Sequence, residues 1–209
     1  VTAEGKVFCA GGDLKEFHAA GEGLPHLASG MLVDFHAAIY KMNRIPKPFV
    51  AGVGGAAGGA GLSLMSAFDL VIASESARFT MAYTRAGVTP DGTSTYFISR
   101  HIGVRRMLDL TLTNRVLTAA EAESWGLVNR VVPADEVDAQ TAALAQQLAD
   151  GPAWALGHAK RIVYLGHDRS LEETGELEGE VIAAAMGRHD GQEGIAAFVE
   201  KRAPEFDGD

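Results

Sequence analysis

From residue 51 to residue 61 the chain reads Ala-Gly-Val-Gly-Gly-Ala-Ala-Gly-Gly-Ala-Gly, a segment with almost no side chains. Only such a segment lets backbone pack directly on backbone, or lets main-chain amides approach a ligand closely. Phe49-Val50-Ala51-Gly52-Val53 before it is a short apolar run of the kind buried in a sheet. Leu62 to Ala67 after it has helical character, and Asp69-Leu70-Val71-Ile72-Ala73 reads as the next buried strand. Strand, turn, helix, strand is a parallel crossover unit, so the chain is expected to fold as α/β. At the first turn of the helix the amides lack carbonyl partners and sit at the positive end of the dipole, a place suited to an oxygen that gains negative charge. The same pattern also serves close strand-to-helix packing without a ligand.

A rival reading attaches to Gly52-Val53-Gly54-Gly55-Ala56-Ala57, which satisfies the dinucleotide pattern G-x-G-x-x-A after a strand. The acidic residue that should end the next strand is missing, because Asp69 stands at its beginning and Glu75 beyond it. There is no phosphate loop of the form G-x-x-x-x-G-K-[ST] and no G-x-S-x-G nucleophile elbow. The seven histidines are scattered, and each reads as a surface or packing residue.

Other segments complete the outline. Asp13-Leu14-Lys15-Glu16 has the form of a helix start, and Met31, Leu32, Phe35, Ile39 and Met42 recur at helical spacing until Pro46 and Pro48. Thr118-Ala119-Ala120-Glu121 and Ser170-Leu171-Glu172-Glu173 are capping boxes that start later helices, with Leu127 to Val132 as the last strand between them. The expected division is an α/β core over residues 1–135 and a helical region over 136–209. A net charge of −9 argues against nucleic acid and anionic membranes as partners, so an anionic ligand needs a local pocket. The single Cys9 excludes an internal disulfide framework, and no Cys and His cluster has metal-site spacing, so no metal is expected. A soluble, cytoplasmic protein is the expectation.

Phe8-Cys9-Ala10-Gly11-Gly12-Asp13-Leu14-Lys15, followed by Val53 to Leu62, resembles the two signature segments of the crotonase (enoyl-CoA hydratase/isomerase) superfamily. The resemblance continues through Asp69 to Ala73, Ala77-Arg78-Phe79, Gly87-Val88-Thr89-Pro90, Leu117 to Ala122, Trp125 to Val128 and Ala197 to Arg202. It implies a crotonase-like spiral of β-β-α units, a helical C-terminal trimerisation region, and a homotrimer or dimer of trimers. Members usually begin with about two further strands, which this chain is expected to lack. The substrate implied is an acyl-CoA thioester, with coenzyme A as part of the substrate and no separate cofactor. By matching positions, the amides of Ala10 and Ala60 hold the thioester oxygen, each such donor contributing around 3 kcal/mol toward a developing oxyanion.

In hydratases of the family two glutamates position water, and the matching residues here are Ser63 and Tyr83. Neither is a carboxylate base. Ser63 is read as a helix-surface hydroxyl or as a bond to substrate or water, and Tyr83 as a residue that shapes the acyl pocket. A third position that carries an acid/base group in isomerases of the family is filled by Asp91. The plainer account of Asp91 is a Pro-Asp-Gly turn or a cap for the next helix. Lys15, Phe198 and Lys201 match or lie near positions that contact the nucleotide, the last two from a neighbouring subunit in relatives. The resemblance thus implies an enoyl-CoA isomerase using Asp91. The alternatives are a hydratase with a non-standard water site and a non-catalytic acyl-CoA-binding protein.

Overall fold

Seven short strands form two sheets in the computed structural model, which describes residues 1–209. Strands β1 (Val7–Cys9), β3 (Ala56–Gly58), β5 (Arg78–Thr80) and β6 (Leu117–Thr118) make the first sheet in that order, and β2 (Val50–Val53), β4 (Leu70–Ser74) and β7 (Arg130–Val132) the second. All neighbours are parallel except β5 and β6. From β1 to β5 consecutive strands alternate between the sheets, and helices α3 (Ala60–Ser66) and α4 (Ser94–Ile102) follow the β2–β3 and β4–β5 pairs. This is the expected spiral of β-β-α units. The parallel pairing of β2 with β4, Val50 opposite Leu70, is the crossover expected from the two apolar runs.

Two details differ from the sequence reading. The glycine-rich segment does not pass straight from strand to helix: Ala56–Gly58 first pairs with β1 and β5. Gly55 makes this possible, since a Cβ there would stand 2.1 Å from the Lys6 carbonyl oxygen. The dinucleotide reading falls with it, because Gly54 and Gly55 lead into a strand of the other sheet and not into a helix. The strand expected over Leu127 to Val132 is confined to Arg130–Val132, because the amides of Leu127 and Val128 return to the Ala122 carbonyl and close α6 (Ala119–Trp125).

The chain divides into two compact units, Val1–Asn43 with Phe49–Thr141, and Arg44–Pro48 with Ala142–Asp209. The division expected at residue 135 falls in the 3-10 turn Ala134–Glu136. The core of the first unit is built from Leu62, Met65, Phe79, Met81, Ile98, Leu110 and Leu117, all fully buried. Each such side chain contributes on the order of 1.5–3 kcal/mol. The remaining helices there are α1 (Leu14–Ala20), α2 (Leu24–Arg44), α5 (Val104–Thr113) and the start of α7 (Val137–Ala149). Asp13 caps α1 by accepting from the amides of Lys15 and Glu16, and Thr118 and Glu121 form the expected reciprocal box on α6.

The second unit holds α8 (Ala153–Gly166), α9 (Leu171–Met186) and α10 (His189–Glu200). Ser170 and Glu173 form the other expected box at the start of α9. The terminal residues are tied back to α10. Buried Asp190 accepts from the amides of Asp207 and Gly208, and Glu193 accepts from Arg202 and from the amide of Glu205. No helix of the chain is long and apolar enough to cross a membrane.

Candidate active site

Two backbone segments meet without side chains between them. Gly59, at φ 52°, turns the chain from β3 into α3, so the amide of Ala60 is the first of the helix and has no carbonyl one turn back. Gly61 then passes so close to the end of β1 that a Cβ would lie 2.1 Å from the Cys9 carbonyl oxygen. From the other side Gly11, at φ 95°, would place a Cβ 3.0 Å from the Ala60 nitrogen. The Cys9 carbonyl and the Ala10 N–H belong to one peptide group, so the glycines bring the Ala10 and Ala60 amides into one neighbourhood.

Ser63 lies on α3 in the helical turn that follows Ala60, and it is fully buried, not a surface hydroxyl. Its burial places its Oγ 2.8 Å from the Tyr83 hydroxyl and 3.3 Å from the Gly59 carbonyl. Tyr83 stands between Ala82, at φ 56°, and the 3-10 turn Thr84–Ala86. Its hydroxyl donates to Asp91 Oδ1 in a short hydrogen bond. A phenol has one proton, so with that proton on Asp91 the Ser63 hydroxyl is the donor in the Ser63–Tyr83 contact. Three candidates scattered over 29 positions thus form one row, Ser63 to Tyr83 to Asp91. Burial, reinforced by the bond to Asp91, pushes the Tyr83 phenol well above its ordinary value. At neutral pH it is a neutral donor, not a base.

The plainer account of Asp91 does not describe its side chain. Thr93, not Asp91, occupies the cap position of α4, and its hydroxyl donates back to the Gly92 carbonyl instead of capping the helix. The main chain of Asp91 serves the turn, its carbonyl accepting from the Ser94 amide at 3.2 Å and the Ser94 hydroxyl at 2.8 Å, while the carboxylate reaches Tyr83. Gly92 follows at φ 58°, and a Cβ there would lie 2.5 Å from the Phe35 ring and 2.8 Å from Ser63 Cβ. The turn is therefore wedged against both α2 and α3.

The sequence reading missed one residue here. His36, on α2, accepts the Gly92 amide proton on Nε2 at 3.2 Å. That bond assigns the ring proton to Nδ1. The contact spans 56 positions, and no local pattern announces it. Met65 and Met81 are fully buried in the core.

The other candidates stand on other elements. Lys15 is exposed on α1. In the second unit Phe198 is 86% exposed, and Lys201 ends α10 in the left-handed conformation, at φ 57°. Phe198 lines an apolar groove of about 360 Å³ with Trp154, Ile195 and Phe206. His189, Asp190 and Asp207 gather ligand-type atoms within 4.8 Å of one another, but both Asp190 oxygens already accept tail amides.

Comparison with known proteins bears on this geometry. The 1,2-epoxyphenylacetyl-CoA isomerase of Escherichia coli is 36% identical over 211 residues, covering all of this chain and 80% of that protein. A probable enoyl-CoA hydratase of Mycobacterium bovis is also 36% identical, covering 99% of this chain and 78% of that protein. The crystal structure of an enoyl-CoA hydratase from Polaromonas superposes with a TM-score of 0.94 at 32% identity, covering 98% of this chain and 80% of that one. The Ala10–Gly11 and Gly59–Gly61 segments that interlock here lie within a match to the family described as Enoyl-CoA hydratase/isomerase that runs over residues 1–209, and with that match and that fold the chain belongs to the enoyl-CoA hydratase/isomerase family, the crotonase superfamily.

Proposed function

We propose that the protein is an enoyl-CoA isomerase, which binds an acyl-CoA thioester, stabilises its enolate with the amides of Ala10 and Ala60, and moves a proton along the acyl chain with Asp91. The observation that carries this reading is the row Ser63, Tyr83, Asp91, which ties the carboxylate to the same helix that Ala60 opens. A thioester α-proton is too weakly acidic for an unaided carboxylate, and two positioned donors at around 3 kcal/mol each supply the missing stabilisation. The carboxylate takes the proton from C2 as the C–H electron pair enters the enolate, and returns it at C4. A positioned base of this kind contributes about 10² to 10⁴ in rate.

Lys15, Phe198 and Lys201 are assigned to the coenzyme A portion, and the assembly to a homotrimer or dimer of trimers. Hydration is the second reading, and hydratases among the relatives favour it. Against it, the residues matching the two hydratase glutamates are the hydroxyls Ser63 and Tyr83, and Tyr83 spends its proton on Asp91. A protein that only binds acyl-CoA is the third reading.

The test is isomerisation of 3-enoyl-CoA to the conjugated 2-enoyl-CoA, followed by its absorbance, for the wild type and Asp91→Asn. Turnover that falls at least 10²-fold in the variant supports the proposal. Water addition to 2-enoyl-CoA without isomerisation supports hydration, and tight coenzyme A binding without turnover supports the binder.

A further inference from the structure

Tyr83 bonds to one oxygen of Asp91. Oδ1 accepts the hydrogen bond from the Tyr83 hydroxyl, while the backbone around the carboxylate is held by Ser94 at the carbonyl and by His36 at the next amide. We infer that Tyr83 is a positioning residue for Asp91: by committing its only proton to Oδ1 it fixes the carboxylate in one orientation and leaves Oδ2 to take and return the substrate proton. This rests on the reading of Asp91 as the base.

A carboxylate on a side chain with two rotatable bonds offers either oxygen in several directions. Proton transfer between two carbons of one acyl chain needs a single oxygen that reaches both. The Tyr83 hydroxyl removes the choice. Ser63 strengthens it, since a hydrogen bond given to the phenol oxygen polarises its O–H toward Asp91. Tyr83 keeps its own proton throughout, so Oδ2 alone takes the proton at C2 and gives one at C4, and a proton held there can exchange with solvent between the two steps.

Burial agrees with this division of labour, because it holds the phenol neutral and so keeps it a donor. The groups packed against the turn are the Ser63 hydroxyl from α3, the Tyr83 phenol, and from α2 the His36 imidazole beside the Phe35 ring. Of these, only Tyr83 bonds to the carboxylate itself.

Tyr83→Phe keeps the ring and removes the donor, so nothing holds Oδ1 and the carboxylate is free to turn. The experiment follows 3-enoyl-CoA in deuterated water and reads kcat, KM and the ratio of isomerised product to C2–H exchange, in the wild type, Tyr83→Phe and Ser63→Ala. In Tyr83→Phe kcat falls by about 10²-fold, as a misplaced base costs, while KM changes little and the ratio drops, because protons leave C2 without one arriving at C4. In Ser63→Ala both fall by less. If Tyr83→Phe fails to fold by circular dichroism, Ser63→Ala carries the test, and an unchanged kcat and ratio there overturn the inference.

A wild type without turnover overturns the base reading and this one with it. Turnover abolished by Asp91→Asn, together with an unchanged kcat and product-to-exchange ratio in a folded Tyr83→Phe, overturns the positioning role alone.

Discussion

Gly61→Ala probes the proposed oxyanion pair, the Ala10 and Ala60 amides, without touching either donor. A Cβ at Gly61 would stand 2.1 Å from the Cys9 carbonyl oxygen, 2.6 Å from its carbon and 2.7 Å from its Cβ. An ordinary close C···O contact is about 3.3 Å, so the end of β1 and the start of α3 must separate by roughly 1.2 Å. No flexible side chain can yield instead, because the nearest atom is backbone. The displaced oxygen shares its peptide group with the Ala10 N–H, and Gly61 is joined directly to Ala60, so the movement opens the gap between the two amides. A misplacement of about 1 Å costs on the order of 10²-fold in rate, and losing one oxyanion donor costs about 10²–10³ in kcat. Crowding the buried contact costs a further 1–3 kcal/mol or so of stability. The assay is kcat/KM on an enoyl-CoA, with a thermal melt to show that the variant is folded. A folded Gly61→Ala that retains activity within about threefold refutes the argument that these two amides must be held at one spacing.

Other consequences follow from the caps and the tail. Thr118→Ala removes one half of the α6 capping box and is expected to cost about 1 kcal/mol, read by chemical denaturation with an unchanged slope. The Arg202 guanidinium and the Glu205 amide hold the Glu193 carboxyl down to about 2, below its ordinary value of 4.5. A depressed carboxyl stabilises the fold above the ordinary value and loses that contribution as pH falls toward 2. Hydrogen exchange at the Glu205 amide, corrected for its intrinsic rate, should therefore stay protected at pH 6 and lose protection on acidification through that window, with Glu193→Ala, which removes the acceptor, unprotected at both ends.

What the sequence revealed, and what it did not, follows from the range of the interactions concerned. The Thr118 and Ser170 boxes close within four residues, and both form as their patterns predict. The apolar runs around Val50 and Leu70 carry their burial in their composition, so their parallel pairing was legible. Strand β3 was not, because Ala56–Gly58 has no strand propensity and is a strand only through β1 and β5. The Tyr83 hydroxyl meets Ser63 across 20 positions and Asp91 across 8, with no period linking them. Sequence matching named all three, yet missed that they form one row and that Ser63 is buried. His36 was beyond reach for the same reason, since its role depends on how α2 packs against the Gly92 turn.

The account stands most directly on proton transfer at the acyl chain by Asp91. In deuterated water, proton NMR of a bound or turning-over acyl-CoA reads the exchange of its acyl C–H protons with solvent, whatever product forms. The wild type should exchange them, and Asp91→Asn should slow the exchange by about 10² to 10⁴ while still binding the thioester. Exchange that proceeds equally fast in Asp91→Asn, or none at all in a wild type that binds the thioester, contradicts the account.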